Sequence, residues 1–245
     1  MARPNTSRPI PATPGADQDR HSPDLRSERD ISATRDLITR RWPESTFHDQ
    51  SHDRLVFTSG IEPFDDLFPL GGLPYGQLVE LTGQAGAGKT GLLFRLLAGM
   101  AARKKGLRIG YIDFPNTFFP VAADYHGLIP NHLFIVKPDV VGSGIRAAEL
   151  LLKHREVAMI VFDLVGVKHE LPLAMLHRIR QKTVRARGLV WFLTEQPESD
   201  SPREIVPASM ASLRLEVTRT AEQRVKAVVV KSRICKPSNE IEVVI

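Results

Sequence analysis

A chain of 245 residues that is 42% hydrophobic and 25% charged is long enough to bury one sizeable α/β core, with room for small appendages. A net charge of +5 suits an anionic partner without requiring one, and the single cysteine, Cys235, excludes an intramolecular disulfide and fits a reducing compartment. No apolar run approaches the roughly 20 residues that span a bilayer, and Arg3 and Arg8 have no apolar stretch behind them, so neither a transmembrane helix nor a secretory signal is expected and the expected location is the cytoplasm.

Residues 1–26 hold Pro4, Pro9, Pro11, Pro14 and Pro23 and no aromatic residue. Such a segment cannot bury enough surface to offset chain entropy, and a disordered proline-rich arm is expected. Ser27 and Asp30 then have the spacing of a capping box, and Ile31, Leu37, Ile38 and Trp42 form an apolar stripe that Pro43 ends. The pattern predicts an amphipathic helix over 27–42, joined by a polar linker through residue 54 to the core. Its apolar face must dock either on its own domain or on another protein.

From residue 55 the pattern alternates. Apolar runs predict strands over 78–82, 107–113, 133–136, 158–163 and 189–194, and helical periodicity predicts helices over 90–105, 145–154 and 171–187. This order implies right-handed crossovers and a mainly parallel twisted sheet with helices on both faces. After residue 210, the stretches 212–218, 224–231 and 240–245 alternate apolar and polar residues without intervening helices, which predicts antiparallel strands at the C-terminal edge. No internal repeat is visible.

One segment carries chemistry directly. Gly83, Gln84, Ala85, Gly86, Ala87, Gly88, Lys89 and Thr90 satisfy the P-loop pattern G-x-x-x-x-G-K-[ST], just after a predicted strand and at the opening of a predicted helix. Small residues let successive main-chain N–H groups curl around phosphate oxygens, and the helix N-terminus adds a favourable dipole. Lys89 is expected to reach the β- and γ-phosphates and Thr90 to ligate Mg²⁺. A plain glycine-rich turn has no use for a lysine buried at its end. Asp163 closes the apolar run 159–163 at the carboxyl end of its strand, where ligands bind in open α/β sheets. It either holds the water shell of the Mg²⁺ or caps the next element. ATP and Mg are the expected cofactors.

Thr58-Ser59-Gly60-Ile61 and the stretch 71–81 that leads into the loop resemble the approach to the nucleotide site of the RecA recombinases. Tyr111-Ile112-Asp113, the strand to Asp163, Phe192-Leu193-Thr194-Glu195 and the stretch 228–233 follow in that family's order, over residues 55–245. The resemblance implies a RecA-like ATP-binding core. In it, Lys231 and Arg233 match the basic pair that reaches an adjacent subunit's nucleotide; solvated charge on an exposed strand is the other reading. The helix at 27–42 is similar in position to the one by which RecA subunits dock on their neighbours, which implies a route to an oligomer.

The departures from the family are as informative. Its catalytic glutamate falls on Pro115, which has no acid to activate water, so Glu195 and Asp113 are the remaining candidates for that role. Its γ-phosphate-sensing glutamine falls on Glu195, with Gln196 one position later, and its adenine contacts fall on Phe119 and Ala122, leaving Phe118 or Phe119 to stack on a base. The two segments that hold single-stranded DNA are cut down to 164–170 and 196–211, which leaves Lys168, Arg203 and the helix face of Arg178, Arg180, Lys182, Arg185 and Arg187 for phosphates.

A shortened, altered RecA-like chain with a proline-rich arm is similar to the ImuA-type paralogues, accessory factors of damage-induced (SOS) mutagenesis that work with a Y-family-like polymerase. That likeness implies an ATP-binding accessory protein that docks on RecA and/or an ImuB-like translesion polymerase subunit, with weak or absent hydrolysis. The alternative is a DNA-dependent ATPase, a recombinase paralogue or mediator acting on single-stranded DNA.

Overall fold

Short apolar runs with no polar face can be satisfied only if helices cover both sides of the sheet that contains them. The structure, a computed structural model, describes residues 56–167, 170–196, 205–235 and 239–245, all within one unit that spans Arg54–Ile245. The expected arm over 1–26, the expected helix and linker over 27–54, Lys168 and Arg203 lie outside the described residues.

An eight-stranded sheet runs in the order β10-β9-β8-β3-β7-β6-β4-β5. Its strands are β3 (Gln77–Thr82), β4 (Arg108–Asp113), β5 (Leu133–Val136), β6 (Val157–Asp163), β7 (Leu189–Leu193), β8 (Leu213–Ala221), β9 (Arg224–Ser232) and β10 (Glu240–Val244). From β8 to β5 every pairing is parallel, and β8–β9 and β9–β10 pair antiparallel. The expected class is therefore the observed one: a mainly parallel α/β sheet closed at its C-terminal edge by antiparallel strands.

Every residue of β6 and β7 is buried. On β7 the period of two divides the side chains between two cores: Leu189, Trp191 and Leu193 face one, Val190 and Phe192 the other. Helix α2 (Lys89–Arg103) fills the first with Leu92, Leu93, Leu96, Leu97 and Met100. Helices α4 (Val141–Leu151) and α5 (Leu173–Arg185) fill the second with Ile145, Ala148, Leu176 and Ile179. Full burial of each such side chain contributes about 1.5–3 kcal/mol, so the sheet is a rigid platform for the loops at its ends.

Smaller elements escaped the sequence pattern. A two-stranded sheet of β1 (Val56–Phe57) and β2 (Leu73–Pro74) brackets the one-turn helix α1 (Glu62–Asp65), and helix α3 (Pro120–Tyr125) follows β4. The carboxylate of Asp65 is buried and accepts three bonds, from Ser59 N (2.9 Å), Ser59 Oγ (2.9 Å) and Gly60 N (2.7 Å). Helix α4 begins at Val141, four residues ahead of expectation.

Beneath the loop that follows β3, a polar contact joins three adjacent strands. Glu80 of β3 is buried, accepts from Thr194 Oγ1 at 2.8 Å just beyond β7, and pairs with Arg214 Nε of β8 at 2.7 Å. Removing one partner of such a pair strands the other charge in a low-dielectric interior, whereas removing both does not. Glu80→Ala is expected to lose about 3–5 kcal/mol of unfolding free energy, read from the urea midpoint, and a paired Glu80→Leu, Arg214→Met replacement to recover most of it. A loss below about 1 kcal/mol, the range of a surface pair, would contradict this.

Candidate functional site

The glycine-rich loop lies between β3 and α2, at the carboxyl end of a central parallel strand. Its glycines are required by shape. Gly86 and Gly88 have φ of 76° and 88°, the left-handed region that other residues avoid. A Cβ at Gly83 would sit 2.3 Å from the carbonyl oxygen of Val217 on β8, and one at Gly88 would sit 2.6 Å from Val225 Cγ1. The β8–β9 hairpin therefore packs directly against the loop.

Lys89 is buried, and its ammonium donates to the carbonyls of Gly83 and Gln84, both at 2.8 Å. Burial pulls its pKa below 10.5, and the negative charges of Glu195 and Asp163 oppose that shift. Residues 85–91 line an open cavity of about 360 Å³, completed by His126, Val165, Glu195, Arg219 and Ile245. Lys89 and Thr90 thus open onto the same space as Gly86 and Gly88.

Asp163 ends β6 and is buried. Its Oδ2 accepts from the Tyr111 hydroxyl at 2.7 Å and its Oδ1 from Val165 N at 3.2 Å. Burial is the leading effect and raises its pKa above 3.8, against the lowering effect of the Tyr111 bond. The same burial, with the Asp163 charge, pushes the Tyr111 hydroxyl far above its usual range. Asp113, level with Asp163 on β4, acts as a cap instead. Its two oxygens accept from Thr117 N (3.0 Å) and Phe118 N (2.9 Å), closing the turn that contains Pro115. Of the two acids singled out in the sequence, Glu195 lines the cavity.

The other sequence candidates separate. Lys231 donates to Ala211 O at 3.2 Å and Arg233 to Ser209 O at 2.7 Å. Lys231 lies near the end of β9 that pairs with the start of β8, and Arg233 just past it, away from the loop. Phe118 is partly buried and packs against Tyr111 (centroids 4.8 Å apart) and Phe94 (5.7 Å), while Phe119 is 60% exposed. Two basic cavity residues were invisible in the sequence. Arg219 of β8 donates from Nε to Gly86 O at 3.0 Å, and His126, whose pKa is lowered by burial and then by Arg95, stands where a Cβ on Gly91 would meet its Nε2 at 3.0 Å. No local pattern marks either residue, because the fold over the loop creates their position.

The sequence pattern of the RecA N-terminal domain matches residues 46–176, more than half of the chain. The chain belongs to that family. Protein RecA of Lactiplantibacillus pentosus is 26% identical over 226 residues, covering 77% of this chain and 59% of that protein. Protein RecA of Marinobacter nauticus is 31% identical over 109 residues, 44% of this chain and 31% of the relative. The chain thus spans about three-fifths of the length of the first of these relatives. Among solved structures, the RadB recombinase matches with a TM-score of 0.59 at 16% identity, over 76% of this chain and 94% of its own. That likeness is one of fold.

The Tyr111–Asp163 bond yields a pH test. A carboxyl whose folded pKa is raised favours folding while protonated, and that contribution is lost as pH rises from 3.8 through the folded value. Tyr111→Phe removes the one side-chain donor that counters the shift, so the variant's stability deficit should be larger at neutral pH than below pH 3.8. Urea midpoints of the two proteins across this range measure it, and a deficit independent of pH would contradict the assignment.

Proposed function

We propose that the chain is an ATP-binding, RecA-type accessory protein of DNA repair and SOS translesion mutagenesis. In this reading it holds Mg-ATP with weak or absent hydrolysis and acts in the cytoplasm by docking on RecA and/or an ImuB-like translesion polymerase subunit. The observation that carries the nucleotide half is the buried Lys89 at the mouth of an open, glycine-lined cavity. A buried ammonium held by two loop carbonyls is poised to exchange them for phosphate oxygens, which meet its charge with a full negative charge where a carbonyl offers a dipole.

The donor set fits the cofactor. Main-chain amides of residues 85–88 would hold the phosphates, Lys89 would reach the terminal ones, and Thr90 with Asp163 would hold Mg²⁺ directly and through its water shell. The ion would neutralise phosphate charge. Arg219, tied to the tip of the loop, supplies a second cation from the same chain. Lys231 and Arg233, which donate to the carbonyls of Ala211 and Ser209 within the chain, would be the pair to reach a neighbouring copy's nucleotide in an oligomer.

Weak turnover follows from the turn after β4. Pro115 occupies the position of the family's water-activating acid, and Asp113 is spent on two main-chain bonds. The second reading, a DNA-dependent ATPase acting on single-stranded DNA, is favoured by one observation, the presence of Glu195 on the cavity wall. A steady-state ATPase assay with and without single-stranded DNA separates the two. The accessory reading predicts Mg²⁺-dependent binding of a fluorescent ATP analogue, lost in Lys89→Ala and weakened about tenfold or more in Arg219→Ala (the loss of one charge-assisted contact, about 1.5–3 kcal/mol), with little turnover. Strong DNA-stimulated turnover that disappears in Lys89→Ala and Glu195→Gln would establish the ATPase instead.

A further inference from the structure

Positive charge is distributed unevenly along the strand direction. Strands β3, β7, β6 and β4 start nearly level: Gln77 and Met159 lie on either side of Leu189, and Arg108 lies beside Val157. Three loops deliver the chain to these starts, over 103–108, 152–157 and 185–189. They expose Lys104, Lys105, Lys153, Arg155, Arg185 and Arg187, against one acid, Glu156. Among the described residues none of these six cations forms an ion pair with a carboxylate.

The same loops bury their apolar members, Leu107, Leu152, Val157 and Leu189. Three cations here are used internally: Lys104 donates to the Tyr75 hydroxyl (3.4 Å) and lies 4.8 Å from the ring centroids of Phe57 and Tyr75, Arg103 donates to the carbonyls of Ser59 (3.3 Å) and Gly99 (3.1 Å), and Arg108 donates to that of Asn131. The basic face of α5 is also partly spent, because Arg178 and Lys182 both bind Glu149, at 3.0 and 3.6 Å. What remains, Lys105, Lys153, Arg155, Arg185 and Arg187, is a row of charge over the starts of three adjacent strands, β4, β6 and β7, at the opposite end of the sheet from the cavity that Lys89 and Glu195 line.

Strands spaced about 4.8 Å apart make this row about 10 Å long. A partner protein would need apolar anchors to bury, and these loops offer none at their surface. A polyanion with regularly repeated charge needs only such a row, and duplex DNA presents about one charge per 1.7 Å of its axis. We propose that this edge of the sheet is a docking surface for the phosphate backbone of a nucleic acid, independent of sequence and of the nucleotide cavity. It goes beyond the function proposed above, since it requires neither ATP nor a second copy.

The test is fluorescence anisotropy of a labelled DNA duplex of arbitrary sequence, titrated with the full chain at several salt concentrations. The wild type should bind with an affinity that falls linearly on a log–log plot against salt. The variant Lys105→Glu, Lys153→Glu, Arg187→Glu should bind at least about tenfold more weakly, with a slope shallower by about 2 to 3, close to 0.9 per lost contact. A control of equal net charge, Arg146→Glu, Arg224→Glu, Lys226→Glu, should change both far less. Circular dichroism verifies folding, and the triple Gln variant at the first three positions, which removes charge without reversing it, keeps the test valid should the Glu variant not fold.

Equal losses in test and control variants, or an unchanged slope, would overturn the proposal. So would binding to vesicles rich in anionic lipid without affinity for the duplex. Lys89→Ala separates this inference from the nucleotide reading, because it should lose the ATP analogue and keep the duplex.

Discussion

Much of this structure turns on one buried ammonium. Lys89 is drawn out of water at the tip of a parallel sheet, and the two carbonyls of Gly83 and Gln84 compensate for part of the solvation it gives up. The loop that presents those carbonyls keeps its shape because Gly86 and Gly88 adopt left-handed conformations and Gly83 lies tight against β8. That strand is in turn fixed to β3 and β7 by Glu80, Arg214 and Thr194. The ion pair one layer below and the glycines above are thus parts of one support for a charge that serves no purpose in an apolar core.

The carboxylates around that charge have divided roles. Asp163 and Tyr111 form a bonded pair beneath the cavity, and Glu195 faces it. Asp113, the neighbour of Asp163 in register, closes a turn with Asn116 at φ 56° just after Pro115. In the function proposed above, such a site would keep the groups that grip phosphate and metal, with Pro115 where the family's water-activating acid would stand and Asp113 serving as a cap. On that proposal, a bound nucleotide would act by stabilising one conformation, by an amount set by ligand concentration over its dissociation constant.

The sequence was most legible where a pattern has one physical solution. The unbroken apolar runs of β6 and β7 admit only a doubly covered sheet, and the phosphate-loop pattern fixes a strand, a turn and a helix at once. It was least legible where tertiary contact decides. The helix expected from residue 145 begins at Val141 and includes Gly142 and Gly144, and Gly144 is small because a Cβ there would meet Phe114 Cζ at 2.5 Å. Two-residue strands such as β1 and β2 are too short to show a period. Arg219 falls just beyond the strand expected over 212–218, and it gains a role because β8 runs on to Ala221, pairs with β3 and brings it over Gly86. The row of cations at the starting edge of the sheet is likewise scattered over three distant loops and becomes one surface only through strand register.

The most direct test of the central claim is a crystal structure of the full chain grown with Mg²⁺ and a non-hydrolysable ATP analogue. The account predicts the polyphosphate within the amide curl of residues 85–88, with the Lys89 ammonium moved from the carbonyls of Gly83 and Gln84 onto phosphate oxygens. A nucleotide bound elsewhere, with Lys89 still on both carbonyls, would contradict it.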